Sequence, residues 1–199
     1  MSADLLIALS AFAFVTSATP GPNNLMLLAS GVNYGFRRTL PHMFGVGLGF
    51  GFMILVLGLG LSQLFDRLPV LHMMLRYGGG AYMLWLAWKI ARSGPVGEGK
   101  AGSKPMSFLS AAAFQWVNPK AWVMAVGAMS AYAAVAPFPW NVVLVTSLFA
   151  ALGFPSCGVW VLFGAGLKRV LTTARAVRAF NLAMAIALVA SLWPVLAGK

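Results

Sequence analysis

An all-α membrane protein with six transmembrane helices arranged as a 3+3 inverted repeat, helices 1 and 4 broken at mid-membrane, is the fold class this sequence predicts. Three observations predict it. The chain has 199 residues, 60% hydrophobic and only 9% charged, where a water-soluble domain carries about a quarter charged residues; its mean hydropathy is +0.85. The apolar runs leave room for about six crossings of roughly 20 residues each, with short connections. Two of these runs are interrupted by proline beside asparagine, at Thr19-Pro20-Gly21-Pro22-Asn23-Asn24 and at Asn118-Pro119-Lys120.

The first span is expected from about Asp4 to Tyr34 and contains the first break. Leu5 to Val15, followed by Ser17 and Ala18, is apolar enough to suggest a secretory leader. No Lys or Arg precedes it and the stretch resumes after the break, so it is expected to be mature structure. The second span, about His42 to Phe65, is rich in glycine, and the spacing of Gly45, Gly47, Gly49 and Gly51 predicts close helix packing. The third covers roughly Leu71 to Ile90, with Gly78-Gly79-Gly80 read the same way. Residues 92–106, with Gly, Pro, Ser and Lys and no apolar periodicity, form a hydrophilic linker. A fourth span, about Phe108 to Val135, holds the second break. Ala136 to Asn141 is a tight turn into a fifth span, about Val142 to Leu167, bent at Pro155, and the last crosses from about Phe180 to Leu196.

Cations set the orientation. Arg37 and Arg38, then Lys89, Arg92, Lys100 and Lys104, then Lys168, Arg169, Arg175 and Arg178 fall on one side, with little beyond Arg67 and Lys199 on the other. The positive-inside rule puts the first, third and fifth loops in the cytoplasm and both termini in the periplasm. The excess of 14 Lys+Arg over 3 Asp+Glu is therefore a topology signal and not a nucleic-acid footprint. Trp85, Trp88, Trp140 and Trp193 near span ends fit interfacial anchors. Three spans on each side of the linker give the halves, about 1–91 and 107–199, opposite orientation, as an inverted repeat requires. Leu48-Gly49-Phe50 matches Leu152-Gly153-Phe154, and Gly58-Leu59-Gly60-Leu61 matches Gly164-Ala165-Gly166-Leu167. Residues 1–199 are thus expected to form a single transmembrane domain.

Proline deprives the carbonyl four residues earlier of its helical donor, so Pro20, Pro22 and Pro119 free those of Thr16, Ala18 and Gln115. Lipid cannot satisfy them, and paired breaks in two halves of a chain point to a transport site. The half-helices starting near Asn23 and Lys120 aim positive ends and free N–H donors at the bilayer centre, while the preceding ones aim carbonyls there. Donors for a carboxylate and acceptors for an ammonium make a zwitterionic amino acid a natural ligand. Asn23, Asn24, Gln115 and Asn118 are candidates for side-chain hydrogen bonds. Lys120, the ionisable residue near the centre of a predicted span, either serves freed carbonyls or forms a cationic site for an anionic group or a proton; an intramembrane charge favours function. His42 and His72 are expected to be hydrated at span ends, and Arg76 to snorkel.

Cys157 is the only cysteine, which excludes an internal disulfide or a multi-cysteine metal site; packing is its expected role. Two distant histidines and acids confined to loops and span ends supply no catalytic constellation, so an enzyme, a resident metal and a cofactor are not expected. A channel with Lys120 in an anion filter is the competing reading.

The ordered set Thr19-Pro20-Gly21-Pro22-Asn23-Asn24, Gly35-Phe36-Arg37, the glycine-rich second span, Gly80-Ala81-Tyr82 through Trp85-Leu86-Ala87-Trp88-Lys89-Ile90, and Val117-Asn118-Pro119-Lys120 resembles the LysE-type amino-acid exporter superfamily across nearly the whole chain. More narrowly it resembles the homoserine/threonine-resistance branch, and Ala18 to Asn24, Leu86 to Ala91 and Lys104 to Phe108 look most similar to its cysteine/O-acetylserine-exporting members. The resemblance implies a multi-pass protein of the bacterial inner membrane that exports amino acids or related metabolites, driven by the proton gradient. Its implied partners are a small amino acid, protons and the lipid bilayer. With no mid-membrane acid to receive a second ammonium, a neutral substrate is expected. A homo-oligomer is compatible with the sequence.

Overall fold

A computed structural model describes residues 3–61, 69–93 and 104–193, and every described element is helical or a connection between helices. Helix α1 (Ala3–Ala18) is followed after a three-residue break by α2 (Pro22–Tyr34); the pair bends by 48°. Helix α3 (Phe36–Val56) runs into a π-helical turn, Leu57–Leu61, where Gly60 sits at φ 127°, open to glycine alone. Then come α4 (Pro69–Ala91), α5 (Phe108–Phe114), a 3₁₀ turn (Gln115–Val117) and α6 (Pro119–Ala131). Helix α7 (Trp140–Leu167) and α8 (Ala174–Ala190) complete the described chain.

Phe36–Gly60 and Trp140–Leu167 are each long and apolar enough to cross a membrane, and α1 with α2 makes a third candidate if the bent pair is one span. Their outward faces carry Phe14, Leu48, Phe52, Val159 and Phe163, all exposed, which suits hydrocarbon as solvent. In that solvent apolar burial drives nothing, and close van der Waals packing must hold helices together. The glycines show how. A Cβ on Gly31 of α2 would stand 2.5 Å from the Val161 carbonyl oxygen, and one on Gly164 of α7 2.3 Å from that of Leu28. Gly45 and Gly49 seat α3 in the same way on the backbone of Phe108 and Ala112 in α5.

Nearly every residue of α2 is buried, which makes it the central element. Buried clusters flank it: Leu27, Met43, Val46 and Val161 join α2, α3 and α7, and Met26, Met83, Leu86, Phe114 and Leu188 join α2, α4, α5 and α8. A third, with Leu9, Met53, Ile54, Ala125 and Phe149, joins α1, α3, α6 and α7.

Several boundaries differ from the sequence reading. Helix α3 begins at Phe36 rather than His42, and α8 at Ala174 rather than Phe180. Basic residues do not end a helix, so Arg37 and Arg38 ride on the first turn of α3, Arg175 on the first turn of α8 and Arg178 just after it. Thr173 starts α8 as an N-cap, its Oγ1 accepting from the Ala176 N–H at 3.1 Å. Helix α7 continues through Pro155 as one element. Among the three adjacent glycines of α4, only Gly79 makes a tight contact, against the Val117 carbonyl oxygen; Gly78 and Gly80 face open space. His42 is 2% exposed rather than hydrated, because α3 starts earlier and carries it inside. Most of the linker, Asp66, Arg67, Glu98, Lys100 and Lys199, and the side chains of His72 and Arg76, lie outside the described residues.

Candidate functional site

Both breaks form as proline chemistry dictates, with Pro22 and Pro119 opening α2 and α6 at the position where a missing N–H is harmless. They meet. Lys120, half-buried in the first turn of α6, reaches across to the end of α1: its Nζ donates to the Thr19 carbonyl at 2.7 Å, to Thr19 Oγ1 at 3.0 Å and to the Pro20 carbonyl at 3.4 Å. An ammonium at the start of its own helix opposes that helix's dipole, and the carbonyl-rich end of α1 offsets this. Gly21 permits the approach. Its φ of −172° is extended backbone open to any residue, but a Cβ there would lie 2.6 Å from Lys120 Cδ and 3.0 Å from Nζ.

Beside the lysine, Asn23 of α2 and Gln115 after α5 exchange two hydrogen bonds, Nδ2 to Oε1 at 2.8 Å and Nε2 to Oδ1 at 3.1 Å. The second Gln115 amide hydrogen goes to the Ala111 carbonyl. Asn24 directs both amide hydrogens to the carbonyls of Ser17 and Thr19, each at 2.8 Å, and so staples the first break. Asn118 caps α6, its Oδ1 accepting from the Lys120 N–H at 3.2 Å. All ten residues singled out in the sequence, Thr19, Pro20, Gly21, Pro22, Asn23, Asn24, Gln115, Asn118, Pro119 and Lys120, therefore belong to one cluster. Within it the amide groups act as struts between the breaks.

The freed carbonyls are a correction. Those of Thr16, Ala18 and Gln115 do not stand open: they accept from Thr19 Oγ1 at 3.1 Å, from the Trp160 indole N–H at 3.3 Å and from the Asn118 N–H at 3.3 Å. A buried carbonyl finds a donor where one is in reach, and here α7 supplies one. The oxygens that face the ammonium are those of Thr19 and Pro20.

The space enclosed between α1, α2, α3, α6 and α7 has a volume of about 50 Å³. It admits a few waters and falls well short of the roughly 300 to 1,000 Å³ of a small-molecule pocket. Thr16, Ser17, Asn24 and Lys120 form its polar wall; Phe50, Phe149 and Phe154 form the apolar one.

A family model described as LysE type translocator matches residues 14–195. The chain belongs to the LysE-type translocator family. It is accordingly a membrane transport protein and not an enzyme. The cysteine/O-acetylserine efflux protein of Escherichia coli K12 is 35% identical over 95% of this chain and 96% of its own length, and that of Shigella sonnei Ss046 matches to the same extent. The protein of the same description from Escherichia coli O139:H28 is 34% identical over 85% of this chain and 87% of its own. No solved structure matches the chain at a significant level.

Residues of this LysE-type translocator that sequence reasoning missed come mainly from α7. Ser156 Oγ donates to the Ser17 carbonyl at 3.1 Å, and with Trp160 it holds the last turn of α1. Their signal was present in the sequence: a serine and a tryptophan four apart, on one helix face, in an otherwise apolar run. The glycine ladder of α3 also divides. Gly45 and Gly49 serve packing as expected, whereas Gly47 and Gly51, on the next face, line the enclosed space.

Proposed function

We propose that the protein is a secondary exporter that moves neutral amino acids or close derivatives, of cysteine/O-acetylserine or homoserine/threonine type, out across the bacterial inner membrane in exchange for protons. The observation that carries this is the contact of Lys120 with Thr19 and Pro20: an ammonium, two helix N-termini and helix-end carbonyls meet where two broken helices touch. Such a site has a cation and helix N-termini for a carboxylate, and the Thr19 and Pro20 oxygens that now hold Lys120 would receive an α-ammonium in its place. The printed descriptions of the relatives support the substrate class. No acid lines the chamber among the described residues, which fits a substrate without a second positive charge.

The transport unit is the whole chain, residues 1–199, as six spans in a 3+3 inverted repeat with both termini in the periplasm. Matched packing supports the repeat. Gly49 of the Leu48-Gly49-Phe50 motif seats α3 on α5, and Gly153 of Leu152-Gly153-Phe154 lies against Ser17 of α1. The paired Phe50 and Phe154 both face the chamber. A chamber of only about 50 Å³ supports a gated carrier over an open pore.

The test is efflux from proteoliposomes loaded with a panel of labelled amino acids, with and without a pH gradient. Saturable export that builds a concentration difference under the gradient is expected for a neutral substrate and is abolished by Lys120→Met. Flux linear in concentration and indifferent to the gradient would establish a channel instead.

A further inference from the structure

A second cavity, of about 380 Å³, lies between the C-terminal ends of α2 and α4 and the N-terminal ends of α3 and α5. Among the described residues it shares no lining residue with the central chamber. Unlike that chamber, it falls within the size range of small-molecule pockets. Its mouth is basic: Lys89, stacked at 5.2 Å on the Trp85 ring, and Lys104 are both exposed. Its buried wall holds Ser30, Asn33 and His42.

Two of those three polar groups are satisfied. Ser30 Oγ shares a hydrogen bond with Thr39 Oγ1 at 3.0 Å, and Asn33 exchanges amide hydrogen bonds with Asn181 of α8 at 2.7 and 3.0 Å. His42 is different. It is 2% exposed, and neither ring nitrogen has a hydrogen-bond partner. Among the described residues the only other buried side-chain atom so placed is Thr146 Oγ1, which lines neither cavity. A buried polar ring without a partner is costly, and one in the wall of a cavity calls for a water or a solute as its partner, which a turn of the ring toward the cavity would bring within reach. A solute in that role accepts a hydrogen bond from an imidazole N–H and suits two lysines. Among the described residues no Asp or Glu lines the cavity, which disfavours a cation there.

We propose that this cavity is a second solute site, separate from the Lys120 chamber, that takes a small carboxylate, with His42 as the buried donor and Lys89 and Lys104 as the charges at its mouth. In the conformation described here the central chamber is too small for an amino acid and the basic-end cavity is not. The inference shares with the proposed function only the class of solute and is read out without transport.

The experiment uses the full chain in lipid nanodiscs with isotope-labelled histidine. The sequence has two histidines, so the variant His72→Gln leaves one imidazole signal, that of His42. At fixed pH and ionic strength it is titrated with O-acetyl-L-serine, acetate, serine amide and inorganic phosphate at millimolar concentrations. A saturable shift with the two carboxylates, none with serine amide, and the same shift in a background of Lys120→Met are expected. Replacing Lys89 and Lys104 by Gln should weaken the midpoint several-fold. No saturable shift with either carboxylate, an equal shift with serine amide, a larger one with phosphate, or loss of the shift in Lys120→Met would each overturn the assignment. Efflux that fails with Lys120 intact leaves this readout unaffected.

Discussion

Replacing Gly21 with alanine moves one methyl group into the space that Lys120 occupies. The backbone there is already extended, so alanine adopts it without strain. By narrowing the unfolded ensemble the change favours folding by about 0.4 to 1 kcal/mol. The methyl stands 2.6 Å from Lys120 Cδ and 3.0 Å from Nζ, closer than real side chains approach. The lysine arm is the part that can yield. In yielding it withdraws the ammonium from the Thr19 carbonyl, now at 2.7 Å. A hydrogen bond from a charged donor is worth about 1.5 to 3 kcal/mol, which corresponds to roughly one to two orders of magnitude in a rate or equilibrium that depends on it. Gly21→Ala is therefore expected to lower the thermal midpoint of the purified protein modestly, the lost bond outweighing the gain from the unfolded state by about 0.5 to 2.5 kcal/mol, and to lower efflux from proteoliposomes by about 10- to 100-fold. Wild-type efflux from a variant that folds normally would show that the lysine's seat on the first break has no part in transport.

Other outcomes follow from the same geometry. Lys120→Met should abolish efflux while the protein still inserts and folds, because the Thr19 carbonyl keeps the Asn24 amide as a donor; near wild-type export would remove the lysine from the mechanism. Asn23→Leu and Gln115→Leu should each destabilise, and together by clearly less than their sum, with a coupling of about 0.5 to 2 kcal/mol in a double-mutant cycle of unfolding; strict additivity would mean that the amide pair is not a working link. Gly164→Ala should push α7 off α2, since backbone atoms of Leu28 and Gly31 occupy that space, and a lower thermal midpoint with a reduced folded yield checks it. Pro22→Ala restores an N–H at the start of α2 and should slow efflux, which an unchanged rate would contradict.

How much of this could be read from the residues alone varies with the kind of signal. Proline and glycine punctuate a helix locally, so Thr19 to Asn24 and Asn118 to Lys120 marked both breaks correctly, and Lys120 stood out because an intramembrane charge needs partners. Which partners was a tertiary question. The freed carbonyl of Ala18 is met by Trp160, 142 residues away, and no local pattern encodes that. Asn33 and Asn181, 148 residues apart, carried no motif that drew them out of the sequence, yet they pair inside the protein. His42 misled because Pro41, Arg37 and Arg38 resemble a boundary, while the helix begins before all three. Glycine at alternate positions of α3 predicted close packing in general and could not say which positions face α5 and which face the chamber, since that depends on the helix's rotation in the bundle.

The two breaks are joined by neutral amides and one ammonium rather than by interlocked apolar side chains, and that choice sets how readily they can separate. Water that enters between Asn23 and Gln115 offers each group a bond about as good as the one it loses, so parting the two breaks exchanges contacts instead of forfeiting them. A dry seam of leucines would have no such substitute and would resist wetting. The fixed grip lies elsewhere, where α7 holds α1 through Ser156 and Trp160 and crosses α2 at Gly31 and Gly164. Loosening of the site is therefore expected first on its amide-lined side.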